Sequence, residues 1–154
     1  MATLEQLIEL LGPSVVRVGV APAGAQIDVR DVFVHDPYDT VSYGQGDLVL
    51  GVGVLADAAS IGPIVRAGPT AVIIKHDDAV GEVIAAAAAE HGVALLTVPR
   101  AASWGQLFVL LRSLLGEDHW VPAGEGGVAS AHDLFAVANM VADWVSCPIT
   151  IEDP

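Results

Sequence analysis

The sequence has a single cysteine, Cys147, among its 154 residues. No disulfide can form within the chain, and this cysteine usage is typical of a protein from a reducing compartment. The amino terminus has no basic residue ahead of an apolar core, as a secretory signal would have. No apolar run approaches the roughly 20 residues of a membrane-spanning helix. The sequence therefore predicts a cytoplasmic protein that does not contact a membrane.

Basic residues are also scarce. Six Lys and Arg residues stand against nineteen Asp and Glu residues, so the formal net charge is -13. The six cations lie far apart along the chain, whereas nucleic-acid binding requires clustered cations that neutralise phosphates. We expect no contact between this chain and nucleic acid.

Apolar residues are abundant and make up 53% of the chain, which excludes disorder and suits one well-filled core. Three apolar segments, Leu48–Leu50, Ala71–Ile74 and Val93–Val98, predict inner strands that are covered on both faces. A segment with helical character precedes each of the last two. This alternation is typical of a parallel sheet with crossover helices. The predicted fold is an α/β, three-layer domain with a mostly parallel sheet.

Two further strands are predicted ahead of these. Residues 15–20 form an apolar segment, and residues 27–34 mostly alternate between apolar and polar side chains. Alternation indicates a sheet with one solvated face, so we expect the strand over residues 27–34 at or near an edge.

Capping patterns predict where the helices begin. Thr3 and Gln6 have the spacing of a capping box, and Asp57 and Ser103 can each cap a helix. We expect residues 76–78 to cap another helix, and Pro63 to make the helix after Asp57 irregular. The predicted helices span residues 4–11, 58–67, 79–91 and 103–115.

The composition divides the chain into three parts. Residues 3–116 form the α/β domain, and residues 117–130, rich in glycine and acidic residues, predict a linker. Residues 131–154 predict an extra helix and a short strand. One stripe of that helix is apolar and cannot remain exposed to water, so we expect it to mediate a homodimer. The stripe consists of Leu134, Val137, Val141 and Trp144.

Residues 51–56 match the dinucleotide-binding pattern G-x-G-x-x-A directly after a predicted strand, with Asp77 and Asp78 further along. Two strands precede the pattern, Pro63 interrupts the following helix, and no second nucleotide-binding half follows. We interpret the small residues as a means of turning the chain off the strand, and we predict no cofactor.

Histidine and aspartate occur together at residues 35–36 and 76–78. Neighbouring strand residues point to opposite faces, and the i, i+4 spacing of a helical zinc site is missing. The serines lack the glycines of a nucleophile elbow. We therefore predict no metal site, no catalytic residue and no enzyme activity.

Four polar side chains follow predicted strands, at the edge where open α/β sheets bind ligands. These candidate ligand-binding residues are His35, Asp36, Lys75 and Arg100. Lys75 and Arg100 can donate hydrogen bonds to an anionic or carbonyl-rich small metabolite. Trp104, close to both in sequence, is either core or one wall of a shallow pocket, and we predict core.

Five segments in order resemble the amino-terminal domain of PucR-type transcriptional regulators, the purine catabolism regulator family of bacteria. They are Val34–Pro37, Gly46–Leu50, Ala71–Lys75, Val93–Pro99 and Ser103–Leu107. Residues 131–154 resemble the start of the GAF-like domain of the same proteins, and no segment resembles their DNA-binding helix-turn-helix.

The resemblance implies a regulatory domain that senses a metabolite, purine-derived or a small acid, or that sets the oligomeric state. Two alternatives stay open at this point. One is a purely structural dimerisation module without a ligand. The other is a fragment of a nucleotide-binding enzyme.

Overall fold

The computed structural model describes residues 2–22, 26–38 and 42–116. The chain divides into two units, Met1–His119 and Trp120–Pro154, and every described residue belongs to the first. The predicted linker over residues 117–130 lies outside the described residues. So do the extra helix and strand over residues 131–154, with the predicted dimerisation residues Leu134, Val137, Val141 and Trp144.

The described residues form seven strands and four helices. The strands are β1 (Ala2–Thr3), β2 (Arg17–Val20), β3 (Asp28–Val29), β4 (Asp31–Val34), β5 (Asp47–Leu50), β6 (Ala71–Lys75) and β7 (Ala94–Val98). The helices are α1 (Leu4–Leu11), α2 (Ala58–Ala67), α3 (Glu82–Glu90) and α4 (Trp104–Leu115). None of these four helices combines the length and the apolar character needed to cross a lipid bilayer.

Five of the strands form the main sheet, in the order β2-β7-β6-β5-β4. Strands β4 to β7 are parallel to one another, and β2 pairs with β7 in the antiparallel direction. The side chains of β6 from Ala71 to Ile74 and all those of β7 are buried. These observations confirm an α/β domain with a mostly parallel sheet.

Helices cover both faces of this sheet. Leu7 of α1 and Leu111 of α4 pack with strand residues on one face. Ile64 of α2 and Ala88 of α3 pack with strand residues on the other. Successive strand side chains point to opposite faces, so the buried strands contribute to both clusters. The domain therefore has the three predicted layers.

The strand predicted over residues 27–34 is two strands. β3 pairs with β1 in a separate two-stranded sheet, and β4 lies at the edge of the main sheet beside β5. Between them, the Arg30 N–H donates to the carbonyl oxygen of Gly46 at 2.7 Å, while the Val29 side chain is fully buried. The predicted edge position is confirmed. The prediction of a single continuous strand was wrong, because the first part of the segment pairs with β1 and the second part with β5.

The predicted helix starts mostly follow their caps. At α1, Gln6 N–H donates to Thr3 Oγ1 at 3.2 Å and Thr3 N–H to Gln6 Oε1 at 3.0 Å, which completes the capping box. Asp57 and Ser103 cap α2 and α4. α2 runs through Pro63 without a break, and this residue lies on the exposed side of the helix.

The start of α3 differs from the prediction. The helix begins at Glu82 rather than at residue 79, its N-cap residue is Gly81, and no side chain caps it. The capping role predicted for residues 76–78 was therefore wrong. Asp77 instead accepts a hydrogen bond from the backbone N–H of Arg100, at 3.0 Å, because the ends of β6 and β7 lie side by side.

Candidate functional site

A cleft of about 480 Å³ opens at the carboxyl ends of β5, β6 and β7. The chain leaves β6 toward α3 on one face of the sheet and leaves β7 toward α4 on the other face. Connections that diverge in this way leave a crevice at the strand ends, where open α/β sheets bind ligands. The lining residues are Gly51, residues 53–57, Lys75, His76, Arg100 and Trp104.

The loop from β5 to α2 forms one wall, and it carries the G-x-G-x-x-A pattern. Gly51 is buried, and a Cβ atom there would lie 3.2 Å from the carbonyl oxygen of Ile73 and 3.1 Å from the Cβ of Val54. Gly53 has a φ of 75°, in the left-handed region that favours glycine. A tight exit from a buried strand thus accounts for both glycines.

Asp57 is the last lining residue of this loop and the N-cap residue of α2. Its Oδ1 accepts a hydrogen bond from the backbone N–H of Ser60 at 2.8 Å. This backbone hydrogen bond, helped by the Ser60 side chain, lowers the pKa of the Asp57 carboxyl below its ordinary value of 3.8. The cleft therefore has a permanent negative charge at this corner at neutral pH.

Lys75 and Trp104 form another part of the lining. Lys75 is the last residue of β6, and its Nζ lies 5.3 Å from the centroid of the Trp104 ring. An ammonium within about 6 Å of an indole face is attracted by the ring quadrupole. Trp104 is half-buried and packs on the core as well as lining the cleft. The sequence prediction that it belongs to the core is thus only part of its role.

Arg100 follows β7 and is held by Asp77. Asp77 Oδ1 accepts the Arg100 backbone N–H, and Asp77 Oδ2 lies 3.6 Å from Arg100 Nε. Arg17, the first residue of the antiparallel β2, donates from its guanidinium to the carbonyl oxygen of Asp77 at 2.9 Å. The ion pair is exposed and contributes little stability by itself. Together, the three contacts fix the position of the loop after β6.

Two of the four predicted ligand-binding residues, Lys75 and Arg100, line the cleft. His35 and Asp36 follow β4 and are not among the lining residues. His35 Nδ1 lies 3.1 Å from the Tyr43 hydroxyl, and Asp36 Oδ1 accepts from the Tyr38 N–H at 2.8 Å. β4 is two strands away from β6, a separation of roughly 10 Å, which accounts for the division of the predicted set.

Several residues in or near the cleft were not predicted as binding residues, among them Asp57, His76, Asp77 and Arg17. Sequence patterns suggested a metal site or a helix-capping turn for His76 and Asp77, and also a dinucleotide site for Asp77, whereas they suggested no site for Arg17. Arg17 reaches this edge because β2 runs antiparallel to β7, where it pairs with Thr97. No local signal in the sequence indicates that direction.

A second depression, of about 570 Å³, lies along the outer side of α4. Among the described residues, those that line it all belong to this one helix, and none of them is charged. A surface formed by a single helix cannot surround a small molecule, so the strand-end cleft is the better candidate.

No family model matches this chain, and no curated protein or solved structure matches it either. Within residues 2–22, 26–38 and 42–116, no group of three or more His, Cys, Asp or Glu side chains is placed to hold a metal ion. The chemistry of the cleft itself is therefore the basis for a functional proposal.

Proposed function

We propose that residues 3–116 are the metabolite-sensing regulatory domain of a bacterial, cytoplasmic PucR-type transcription factor. The five segments that carry this resemblance correspond, in chain order, to the end of β4, the strands β5, β6 and β7, and the start of α4. The metabolite lies in the strand-end cleft. No segment of this chain resembles the helix-turn-helix with which that family binds DNA, so we assign no DNA binding to it.

The observation that carries the proposal is the gathering of cationic side chains at one edge of an acidic protein. Arg17, Lys75 and Arg100 are three of the six Lys and Arg residues of the chain, and all three lie at the carboxyl edge of the parallel strands. Lys75 and Arg100 line the cleft itself. Cations placed in a concave site beside an aromatic ring favour a small anionic or carbonyl-rich ligand.

Binding without catalysis fits the lining better than a nucleotide-dependent enzyme does. The G-x-G-x-x-A loop lines the cleft, but a dinucleotide site places its pyrophosphate at the amino end of the next helix. The ionised Asp57 carboxylate occupies that end of α2. Its charge opposes a pyrophosphate there, which supports a binding domain for a different ligand.

Calorimetric titration of the full chain with nucleobases, ureides and small organic acids tests the proposal. We expect saturable heat with at least one of these metabolites, and its loss in Lys75→Ala. Arg66→Ala is the matched control, because Arg66 is an exposed cation of α2 outside the cleft. Absence of heat with every compound would contradict the sensing function.

A second proposed function is assembly through the apolar stripe predicted in residues 131–154. The stripe of Leu134, Val137, Val141 and Trp144 favours a symmetric dimer. Sedimentation compares the full chain with a version ending at Gly116. A dimer of the former and a monomer of the latter would support assembly, whereas two monomers would contradict it.

A further inference from the structure

The charges of the cleft restrict the ligand that the proposed sensing function requires. Lys75 takes part in neither of the two ion pairs found among residues 2–22, 26–38 and 42–116. Arg100 has the carboxylate of Asp77 beside it, so much of its charge is already balanced. The wall formed by β6 and β7 therefore offers one uncompensated positive charge, which matches a ligand with a single negative charge.

Asp57 gives the cleft a corner of negative charge at the amino end of α2. The Asp57 carboxylate accepts the Ser60 N–H and, like any exposed aspartate, is ionised at neutral pH. Oxygens of an ionised carboxylate can accept hydrogen bonds but cannot donate them. A ligand that reaches this corner is stabilised by N–H donors and destabilised by further negative charge.

The shape of the charged wall adds a third restriction. Lys75 Nζ lies 5.3 Å from the centroid of the Trp104 ring, so the cation and the aromatic surface occupy the same side of the cleft. Both side chains are half-buried, which limits their movement. Because the ammonium lies over the indole, a ligand whose anionic group meets the ammonium places its own ring beside the indole, where a flat conjugated ring can make edge-on contact. A saturated ring of the same charge loses the aromatic part of that contact.

We propose that the cleft binds a flat, conjugated monocarboxylate with ring N–H groups and discriminates against phosphate esters. The proposal rests on the sensing function proposed above. The carboxylate lies at Lys75, the ring contacts Trp104, and the N–H groups face Asp57. A phosphate monoester carries close to two negative charges at neutral pH, one more than this lining balances.

Three probes that share one ring test the proposal by calorimetry on the full chain. Uracil has the flat ring and its N–H groups, orotate adds a carboxylate to that ring, and uridine 5′-monophosphate carries the charge on a phosphate. We expect orotate to bind about tenfold or more tightly than either of the others, the ratio that one charge-assisted hydrogen bond supplies. The indole N–H signal of Trp104 in an NMR spectrum, assigned by its loss in Trp104→Phe, locates the binding.

Two variants test the positive charge of Lys75 and the negative charge of Asp57 separately. Lys75→Met keeps most of the aliphatic stem, and we expect it to remove the preference for orotate over uracil. Asp57→Ser keeps an N-cap side chain but removes the negative charge, so the preference for orotate over the phosphate ester should narrow. Arg66→Met is the control, since this exposed cation lies outside the cleft and should change neither ratio.

The outcomes distinguish this inference from the sensing function. Equal binding of uracil and orotate, with a shift of the Trp104 signal, overturns the monoanion assignment and leaves a sensing cleft. Tighter binding of uridine 5′-monophosphate than of orotate overturns the proposed discrimination against phosphate esters. Absence of binding by all three probes overturns this ligand class, and the sensing function then stands only if the wider series of nucleobases, ureides and acids binds.

Discussion

Replacing Thr70 with valine tests one buried hydrogen bond at the amino edge of the sheet. Thr70 is 2% exposed, and its Oγ1 accepts the backbone N–H of Gly46 at 2.6 Å. Gly46 is buried too, with a φ of 97°, so its N–H belongs to a turn whose geometry is restricted to glycine. Valine keeps the shape of threonine but removes the only acceptor that the side chain offers.

The expected loss of stability follows from the Gly46 N–H, which has lost its acceptor in the valine variant. A buried N–H left without an acceptor costs about 1–3 kcal/mol, and we expect the free energy of unfolding to fall by that amount in Thr70→Val. Urea denaturation followed by far-ultraviolet circular dichroism measures it. Ligand binding should be unchanged, because Thr70 precedes β6 and the cleft lies at the opposite end of that strand.

Thr70→Ser is the comparison variant. It keeps the hydroxyl acceptor and removes one buried methyl group, for an expected loss of about 0.8 kcal/mol. A Thr70→Val protein at least as stable as the parent would refute the reasoning, since it would mean that Gly46 N–H finds another acceptor at no cost.

Three further predictions concern stability. Leu111→Ala removes a fully buried side chain and should cost about 2–5 kcal/mol in chemical denaturation, whereas the exposed Val109→Ala on the same helix should stay within about 0.5 kcal/mol. Asp57→Ala should be less stable than the parent at neutral pH. Because folding lowers the pKa of this carboxyl, its contribution is present above its ordinary value of 3.8 and is lost as the pH falls further, so urea denaturation should show the two proteins converging in acid. A double-mutant cycle on the half-exposed Arg112–Asp31 ion pair should give a coupling below about 1 kcal/mol that shrinks with added salt, and a larger, salt-independent value would contradict it.

The parts of the fold that sequence patterns predicted are those with local causes. The apolar run at Ala71–Ile74 indicated a strand buried on both faces, and β6 is one. Thr3 and Ser103 marked helix starts because their hydroxyls reach backbone N–H groups three residues away. Such contacts depend only on nearby residues, so spacing alone reveals them.

The predictions that failed involve choices between distant partners. Residues 27–34 alternate as one strand does, but β3 pairs with β1 and β4 with β5, and the sequence contains no sign of that division. Asp77 can cap a helix as readily as it can bind a neighbouring loop. It binds Arg100 because β6 and β7 end side by side, a fact of the assembled sheet.

The sequence by itself determined an acidic α/β domain with three buried strands, because apolar runs and capping residues act over a few neighbouring positions. Only the tertiary structure decided which side chains surround the cleft. Strand order places Lys75 and Arg100 together and leaves His35 aside, and the reversed direction of β2 places Arg17 at the same edge. These placements result from pairing between residues far apart in the chain, and a pattern read along one segment does not contain them.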